Sequence, residues 1–362
     1  MKKTTFYNVH KKLGAKIIEF AGFEMPVQYS SIISEHKAVR NSVGVFDVSH
    51  MGEIFVSGEK ALEFIQKITI NDASRLICGK VQYSAMCYPD GGIIDDLLVY
   101  RLAEDKYMLV VNASNIEKDF NWMKENNPGG KVKLDNLSDE YSLLAVQGPN
   151  SLKVLEKISE EKFDDLEYYH FRETTILGIE MIVSRTGYTG EPGYELYFKG
   201  NEEIAERIWN KIFDAGKEYN IEPAGLAARD SLRLEMGFCL YGNDIDKTTN
   251  PLEAGLGWIT KMSKENFIGK EALMKIKAEG LKRKLTGLVT DEKAFPRHGY
   301  DLSVNGKKVG TITSGTVSPI LEKPIALGYI DKEFSEEGSN INIVIRGKEI
   351  PAKVVKPPFI KK

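Results

Sequence analysis

Two adjacent carboxylates, Asp95 and Asp96, stand inside the run Gly91-Gly92-Ile93-Ile94-Asp95-Asp96-Leu97-Leu98-Val99-Tyr100, whose apolar members are those of a buried β-strand. Strand side chains alternate between faces, so the two point opposite ways: Asp95 with Ile93, Leu97 and Val99, Asp96 with Ile94, Leu98 and Tyr100. Whichever face is more buried, one carboxylate lies among aliphatic groups, at a free-energy cost unless it is paired, hydrogen-bonded or protonated. Groups kept at such a cost are candidates for chemistry. The alternative is an aspartate bonded to the backbone amides of the Gly91-Gly92 turn.

A second candidate is Arg185-Thr186-Gly187-Tyr188-Thr189-Gly190-Glu191-Pro192-Gly193-Tyr194-Glu195. Its glycines, spaced by three, permit tight turns and close approach of backbone to a ligand. No helix-opening GxGxxG and no Gly-Lys-Ser/Thr is present, so neither a dinucleotide fingerprint nor a P-loop is indicated. Tyrosine faces beside Glu195 suit a flat heterocycle with an amino-pyrimidine edge; the alternative is an ordinary long hairpin. In Ala227-Ala228-Arg229-Asp230-Ser231-Leu232-Arg233-Leu234-Glu235, helical spacing makes Arg229 and Arg233 neighbours, and like charges there need acids or an anionic ligand. For Arg233 the spacing favours salt bridges to Asp230, Glu235 or Glu222, and for Arg229 a ligand. Asp47-Val48-Ser49-His50 holds the residue types of a triad too close in sequence to form one, and no GxSxG is present, so a satisfied histidine on a strand-to-turn segment is expected. Cys87 lies in an apolar strand and is expected to be an inert thiol.

The elements that must carry these groups follow from periodicity. Ser30 or Ser31 caps a helix through Ile33, His36 and Val39; a strand at Glu53–Ser57 precedes a helix from Lys60 to Lys67. Residues 81–112 form a β-meander of Gln82–Tyr88, an Asp90-Gly91-Gly92 turn, Ile93–Arg101 and Tyr107–Asn112. Ser114–Glu125 is helical, and Asn126 to Gly130 is a loop. Tyr141–Gln147 is a buried strand, Ser151–Ile158 a helix, Ile179–Arg185 and Tyr194–Phe198 strands around the glycine-rich turn, and Glu202–Ala215 and Ala224–Gly237 helices. A helix ending at Glu279 stops at Gly280. Beyond it, short alternating segments at Leu285–Thr290, Leu302–Val304, Lys308–Thr313, Ile325–Ile330 and Ile341–Ile345 predict a small β-barrel or sandwich.

Composition narrows the class. With 362 residues, two or three domains are expected. A hydrophobic content of 42% with 28% charged residues describes a folded chain, and a net charge of −3 with dispersed Lys and Arg argues against nucleic-acid binding. Cys78, Cys87 and Cys239 have no metal-ligand spacing, and the five histidines form no HxH or HExxH pattern, so no metal site is expected. No run approaches the ~20 apolar residues of a membrane span, and no signal peptide follows Met1-Lys2-Lys3, which points to a cytoplasmic protein without membrane partners.

Taken together, the motifs resemble the T-protein of the glycine cleavage system, a family of aminomethyltransferases. The resemblance rests on Phe46-Asp47-Val48-Ser49-His50-Met51-Gly52, Gly91 to Asp96, Ala145-Val146-Gln147-Gly148-Pro149, Thr186 to Glu191, Gly225 to Asp230, Leu240-Tyr241-Gly242-Asn243-Asp244, and Thr313-Ser314-Gly315 through Ser318-Pro319, in order over nearly the whole chain. It implies an α+β, three-domain, ring-like folate-binding fold with a C-terminal β-barrel: residues 1–52 with 137–246, residues 53–136 joined by 247–277, and residues 278–362. It further implies that the methylene carbon of an S-aminomethyl lipoyl group passes from a lipoylated H-protein to tetrahydrofolate, a co-substrate in a central channel, releasing ammonia and dihydrolipoyl carrier.

Carried over by the same resemblance, Asp96 matches the family's essential aspartate. Tyr83, Asn112, Tyr188, Glu195 and Arg229 match positions lining the folate site, with Met51 and Val110 as apolar walls. Glu195 would accept from the pterin amino-pyrimidine edge, tyrosines would flank the ring and Arg229 would offer a fixed fork of donors. Asp96 would orient the nucleophile and stabilise cationic character at the transferred carbon. The tail Pro358-Phe359-Ile360-Lys361-Lys362 departs from relatives with arginine after the Pro-Phe pair, since a lysine offers charge without a bidentate fork. Two other readings share the architecture. Sarcosine and dimethylglycine dehydrogenases carry an upstream flavin domain with GxGxxG, which has no counterpart before residue 1, so no flavin is expected. Non-catalytic folate-binding iron–sulfur maintenance proteins carry a KGCYxGQE-type motif where this chain has Thr186-Gly187-Tyr188-Thr189-Gly190-Glu191.

Overall fold

The Asp90-Gly91-Gly92 signal is realised as a tight turn between the strands Val81–Cys87 and Ile93–Ala103. Gly91 adopts φ 90°, Tyr88 N–H donates to Gly92 O at 2.8 Å and Gly91 N–H to Tyr88 O at 2.9 Å. Asp90 rather than Asp95 or Asp96 caps it, its Oδ1 accepting from Gly92 N–H at 3.0 Å. The computed structural model describes residues 1–361; Lys362 of the terminal tail lies outside them. Within these the chain divides into two compact units, one of residues 1–65, 73–83 and 97–230, the other of 66–72, 84–96 and 231–361.

The meander continues through Lys106–Val111 into an antiparallel five-stranded sheet, ordered Val81–Cys87, Ile93–Ala103, Lys106–Val111, Gly52–Ser57, Lys133–Asn136. In the first unit lies a second, six-stranded sheet: Phe171–Ile176, Ile179–Ser184, Gly193–Lys199, Tyr141–Gln147, Gly44–Asp47 and Glu222–Pro223, the last pairing parallel to Gly44–Asp47. Alternation sorts its faces. Leu144, Val146, Tyr194, Leu196 and Phe198 point to a core closed by the helices Ser151–Ile158 and Glu202–Gly216. Those helices bury Val154, Leu155 and Ile158, and Ala205, Ile208, Trp209 and Ile212, at the i, i+3, i+4, i+7 spacing of one face. The opposite face carries Glu195 and Tyr197.

Ser31 is the cap of the helix Ile32–Asn41, its hydroxyl accepting from Ser34 N–H at 3.1 Å. The helices expected from Ala224 and through Glu279 form as Leu226–Glu235 and Lys270–Glu279, and Gly280 at φ 86° ends the latter.

In the second unit the chain's end closes a six-stranded barrel: Arg283–Val289, Pro324–Asp331, Lys307–Val317, Asp301–Val304, Asn340–Ile345 and Lys348–Val355, the last pairing back with the first. Leu288, Leu302, Ile312, Ala326, Ile330, Ile343 and Val354 fill it. Its sixth strand escaped the sequence reading, as did the hairpin Lys16–Phe20 and Phe23–Gln28, the strands Gly44–Asp47, Lys133–Asn136 and Phe171–Ile176, and the helix Tyr7–Lys12.

Candidate functional site

The two aspartates separate as alternation demands. Asp95 is fully buried, on a face with Ile93, Leu97 and Val99, while Asp96 is half-buried beside a half-buried Leu98. Asp96 is therefore the carboxylate that a ligand can reach. Both belong to the second unit.

Glu195 is built into the first unit from two directions. The register pairs it with Ser184 across the hairpin, and Thr186, two residues past Ser184, reaches the same carboxylate. Thr186 Oγ1 donates to Glu195 Oε2 in a short hydrogen bond, Tyr197 OH donates to the same oxygen at 3.4 Å, and Oε1 accepts nothing from the described residues. The hydroxyls continue inward: Thr186 Oγ1 lies 2.9 Å from Ser184 Oγ, and Tyr100 OH lies 3.1 Å from Ser184 Oγ and 3.0 Å from Tyr197 OH. Burial raises the Glu195 carboxyl's pKa, while the Thr186 bond, the Arg229 charge and Tyr197 pull it back.

The glycine-rich connection is pinned rather than loose. Gln147 Nε2 donates to Thr186 O at 3.1 Å, Thr189 Oγ1 donates to Gln147 Oε1 at 2.8 Å, and Arg40 bonds Thr189 O at 2.5 Å and Glu191 Oε1 at 3.0 Å. Gly187 and Gly193 are required by that glutamine: a Cβ at either would stand 2.0 Å from Gln147 Oε1 or 2.4 Å from its Nε2. Tyr188, half-buried, lies under the Arg229 guanidinium at 4.5 Å from ring centroid to Cζ.

His50 adjoins this group. It is buried against Phe20 with ring centroids 5.4 Å apart, and its Nδ1 has no hydrogen-bond partner. Burial and the Arg229 charge push its pKa down to about 3, so it is neutral. The satisfied histidine is instead His10, with Nε2 at 2.9 Å from Asp47 Oδ2 and Nδ1 at 2.8 Å from Tyr29 OH. The expectation for His50 fails because its aspartate is already taken by His10 and by Thr4 at 2.6 Å.

Met51 and Asn112 flank the paired ends Gly52 and Val111 of neighbouring strands, and Val110 faces Glu53 in the same ladder. Glu53, unremarked in the sequence, is 1% exposed; its Oε2 has no partner, and burial, reinforced by the Glu195 charge, raises its pKa well above the carboxylate range. Burial thus favours its protonated form. Tyr83 lies half-buried on Val81–Cys87. Among the sequence-derived residues, then, the first unit brings Glu195, Tyr188 and Arg229 into one cluster with His50, and sets Met51, Val110 and Asn112 at one end of a strand pair.

Arg233 is a structural group, and its buried partner is an acid that the helical spacing did not name. Its Nη1 meets Asp244 Oδ2 at 2.6 Å, from the loop after its own helix. Cys87 is buried and its thiol pKa pushed far up by burial, in keeping with an inert role. Among the described residues no cluster of three or more His, Cys, Asp or Glu could hold a metal ion, and no helix is long and apolar enough to cross a membrane.

Comparison with known proteins places the whole chain in one family. Residues 6–264 match the GCVT N-terminal domain family, and residues 283–361 the glycine cleavage T-protein C-terminal barrel domain. An aminomethyltransferase of Halothermothrix orenii is 55% identical over 360 residues, covering 99% of this chain and 100% of that one. One of Flavobacterium psychrophilum is 54% identical, with both chains covered in full. The crystal structure of glycine cleavage system aminomethyltransferase T from Bartonella henselae superposes with a TM-score of 0.93 at 36% identity, covering 99% of this chain and 98% of that one.

Proposed function

The chain belongs to the glycine cleavage T-protein family and is an aminomethyltransferase, and we propose that it moves the methylene carbon of an S-aminomethyl lipoyl group, borne by a lipoylated H-protein, to tetrahydrofolate. Ammonia and dihydrolipoyl carrier leave. The observation that carries the folate reading is Glu195. One carboxylate oxygen is held by Thr186 and Tyr197, the other is open, and an Arg229–Tyr188 stack stands in the same cluster. A fixed acceptor beside an aromatic face is what a 2-amino-pyrimidine edge on a flat ring requires.

In this reading Glu195 accepts from the pterin edge, Tyr188 and Tyr83 offer ring faces, Arg229 and Asn112 hold polar groups of the ligand, and Met51 and Val110 form apolar walls. Asp96 orients the attacking nitrogen and stabilises positive charge developing at the transferred carbon. The functional division is then residues 1–52 with 137–246, residues 53–136 with 247–277, and the barrel from 278, working in the cytoplasm.

Cleaving the carboxyl–carbon bond of glycine needs an electron sink, and in this reading the carbon arrives already loaded on its carrier. The test incubates the protein with tetrahydrofolate and either glycine or aminomethyl-loaded carrier. Ammonia and methylenetetrahydrofolate are expected from the carrier alone. Ammonia from glycine, or none from the carrier, overturns the reading.

A further inference from the structure

The loop that follows Glu235 seats itself on Gly92 and Ile93, at the start of the strand that carries Asp96, and the loop and these two residues lie within the second unit. Ile93 N–H donates to Asp246 O at 3.2 Å and to Thr249 O at 3.0 Å, and Tyr241 OH donates to Ile93 O at 3.3 Å. At Gly92 the approach leaves no room for a side chain: a Cβ there would stand 2.2 Å from Lys247 O. Asp96 follows three residues after this anchor. Cys239, buried in the same loop, has its thiol pushed up by burial and then by the charges of Asp244 and Asp96.

A buried ion pair sets the shape of this loop. Asp244 Oδ2 accepts from Arg233 Nη1 at 2.6 Å and from Leu240 N–H at 2.9 Å, and its backbone carbonyl accepts from Tyr329 OH at 2.9 Å. The barrel strand Lys307–Val317 supplies the rest. Thr313 Oγ1 lies 2.5 Å from Asp244 Oδ1, and Ser314 Oγ accepts from Arg233 Nη2 at 2.8 Å. Apolar residues of similar volume would commonly be as stable as such a pair, so its cost points to a need for direction. Fully satisfied polar networks permit one geometry where apolar packing permits several.

We propose that the Arg233–Asp244 pair, fixed by Thr313 and Ser314 of the barrel, positions Asp96 by holding the loop against Gly92 and Ile93. The proposal rests on the assignment of Asp96 to the transferred carbon. Arg233, Asp244 and Thr313 touch no substrate in it; they act through the strand.

The test is a double-mutant cycle on the full chain with tetrahydrofolate and aminomethyl-loaded carrier. Thr313→Val removes one hydroxyl from Asp244 and keeps its volume. It is expected to lower kcat about tenfold while the KM for tetrahydrofolate changes less than about twofold, as a displaced catalytic group would give. Thr313→Ser, which keeps the hydroxyl, is expected to restore kcat. In an Asp96→Asn background, Thr313→Val should change kcat by less than about twofold, because its route to the chemistry is gone. Should Thr313→Val fold poorly, Tyr241→Phe, which removes the hydroxyl reaching Ile93 O, carries the same cycle. An undiminished Thr313→Val effect on top of a deficient Asp96→Asn enzyme overturns the positioning role alone, as does an unchanged kcat in folded Thr313→Val. A wild-type kcat in Asp96→Asn overturns the assignment of Asp96 and this proposal with it.

Discussion

Thr186→Val isolates the means by which Glu195 is kept ready for a ligand. Thr186 is 2% exposed, and valine matches its volume, so the change removes a hydroxyl and little else. That hydroxyl donates to Glu195 Oε2, and it stands first among the influences that offset the effect of burial on the carboxyl. A hydrogen bond to a charged group contributes about 1.5–3 kcal/mol, which corresponds to roughly a tenfold to hundredfold change in affinity. The sign follows from protonation. The ionised carboxylate accepts from an amino-pyrimidine edge more strongly than the protonated acid, burial already favours the protonated form, and losing Thr186 favours it further. The acid limb of tetrahydrofolate binding should therefore move to higher pH. Calorimetric titrations under anaerobic conditions across a pH series should show the largest loss on the acid side and a narrowing gap as pH rises. An equal loss at every pH would mean that Thr186 only shapes the cavity. An unchanged Kd throughout would refute the placement of Glu195 on the ligand.

Three further perturbations separate chemistry from scaffold. Asp96→Asn should lower kcat for methylenetetrahydrofolate formation with folate affinity retained, whereas Asp95→Asn, at a fully buried position, should register first in the thermal midpoint; steady-state kinetics and calorimetry on both variants decide. Glu53 keeps its proton to higher pH when folded than when unfolded, so between the ordinary carboxylate pKa and its raised value stability should fall as pH rises, by up to about 1.4 kcal/mol per pH unit. Glu53→Gln should flatten that limb in denaturant titrations at a series of pH values. Lys264 Nζ donates to the carbonyls of Gln66, Thr69 and Asn71 at 2.7, 2.6 and 2.8 Å; Lys264→Met should cost about 1–3 kcal/mol in the urea midpoint at unchanged m.

Strands and helices with strong periodicity were legible because their partners are apolar and need no further information. Tyr141–Gln147 is found with its expected bounds, and the opposed orientation of Asp95 and Asp96 follows from the pleat alone. The strand Lys348–Val355 hid behind Lys348, Glu349, Pro351 and Lys353, and only Ala352 and Val354 of it are buried in the barrel. Glu222–Pro223 is too short to leave any pattern and exists through its pairing with Gly44 and Val45. Arg233 shows a different limit. The acids expected for it were Asp230, Glu235 and Glu222, but the loop that returns Asp244 to the guanidinium has no period to read.

Glu53 shows why the site itself was only partly visible. In Gly52-Glu53-Ile54-Phe55-Val56-Ser57, alternation groups Glu53 with Phe55 and Ser57, a face that reads as half-polar and open to water. In the first unit Phe55 stacks on Tyr141 at 5.7 Å, the Glu195 charge helps raise the pKa of Glu53, and the Glu53 charge helps raise that of the buried Tyr197. That face is covered, with Glu53 and Phe55 both buried. A single strand cannot announce that, because the covering residues come from Tyr141 and from strands of a hairpin whose register is set by an eight-residue connection, 185–192. The sequence thus shows which polar groups sit at a cost, as Asp95, Glu195 and Arg233 do. Which hydroxyl or guanidinium offsets that cost is decided by register and loop closure. Those pairings set the surroundings of Glu195 in the first unit and, on the proposal above, the seat of Asp96 in the second, and neither has a period that the sequence alone could show.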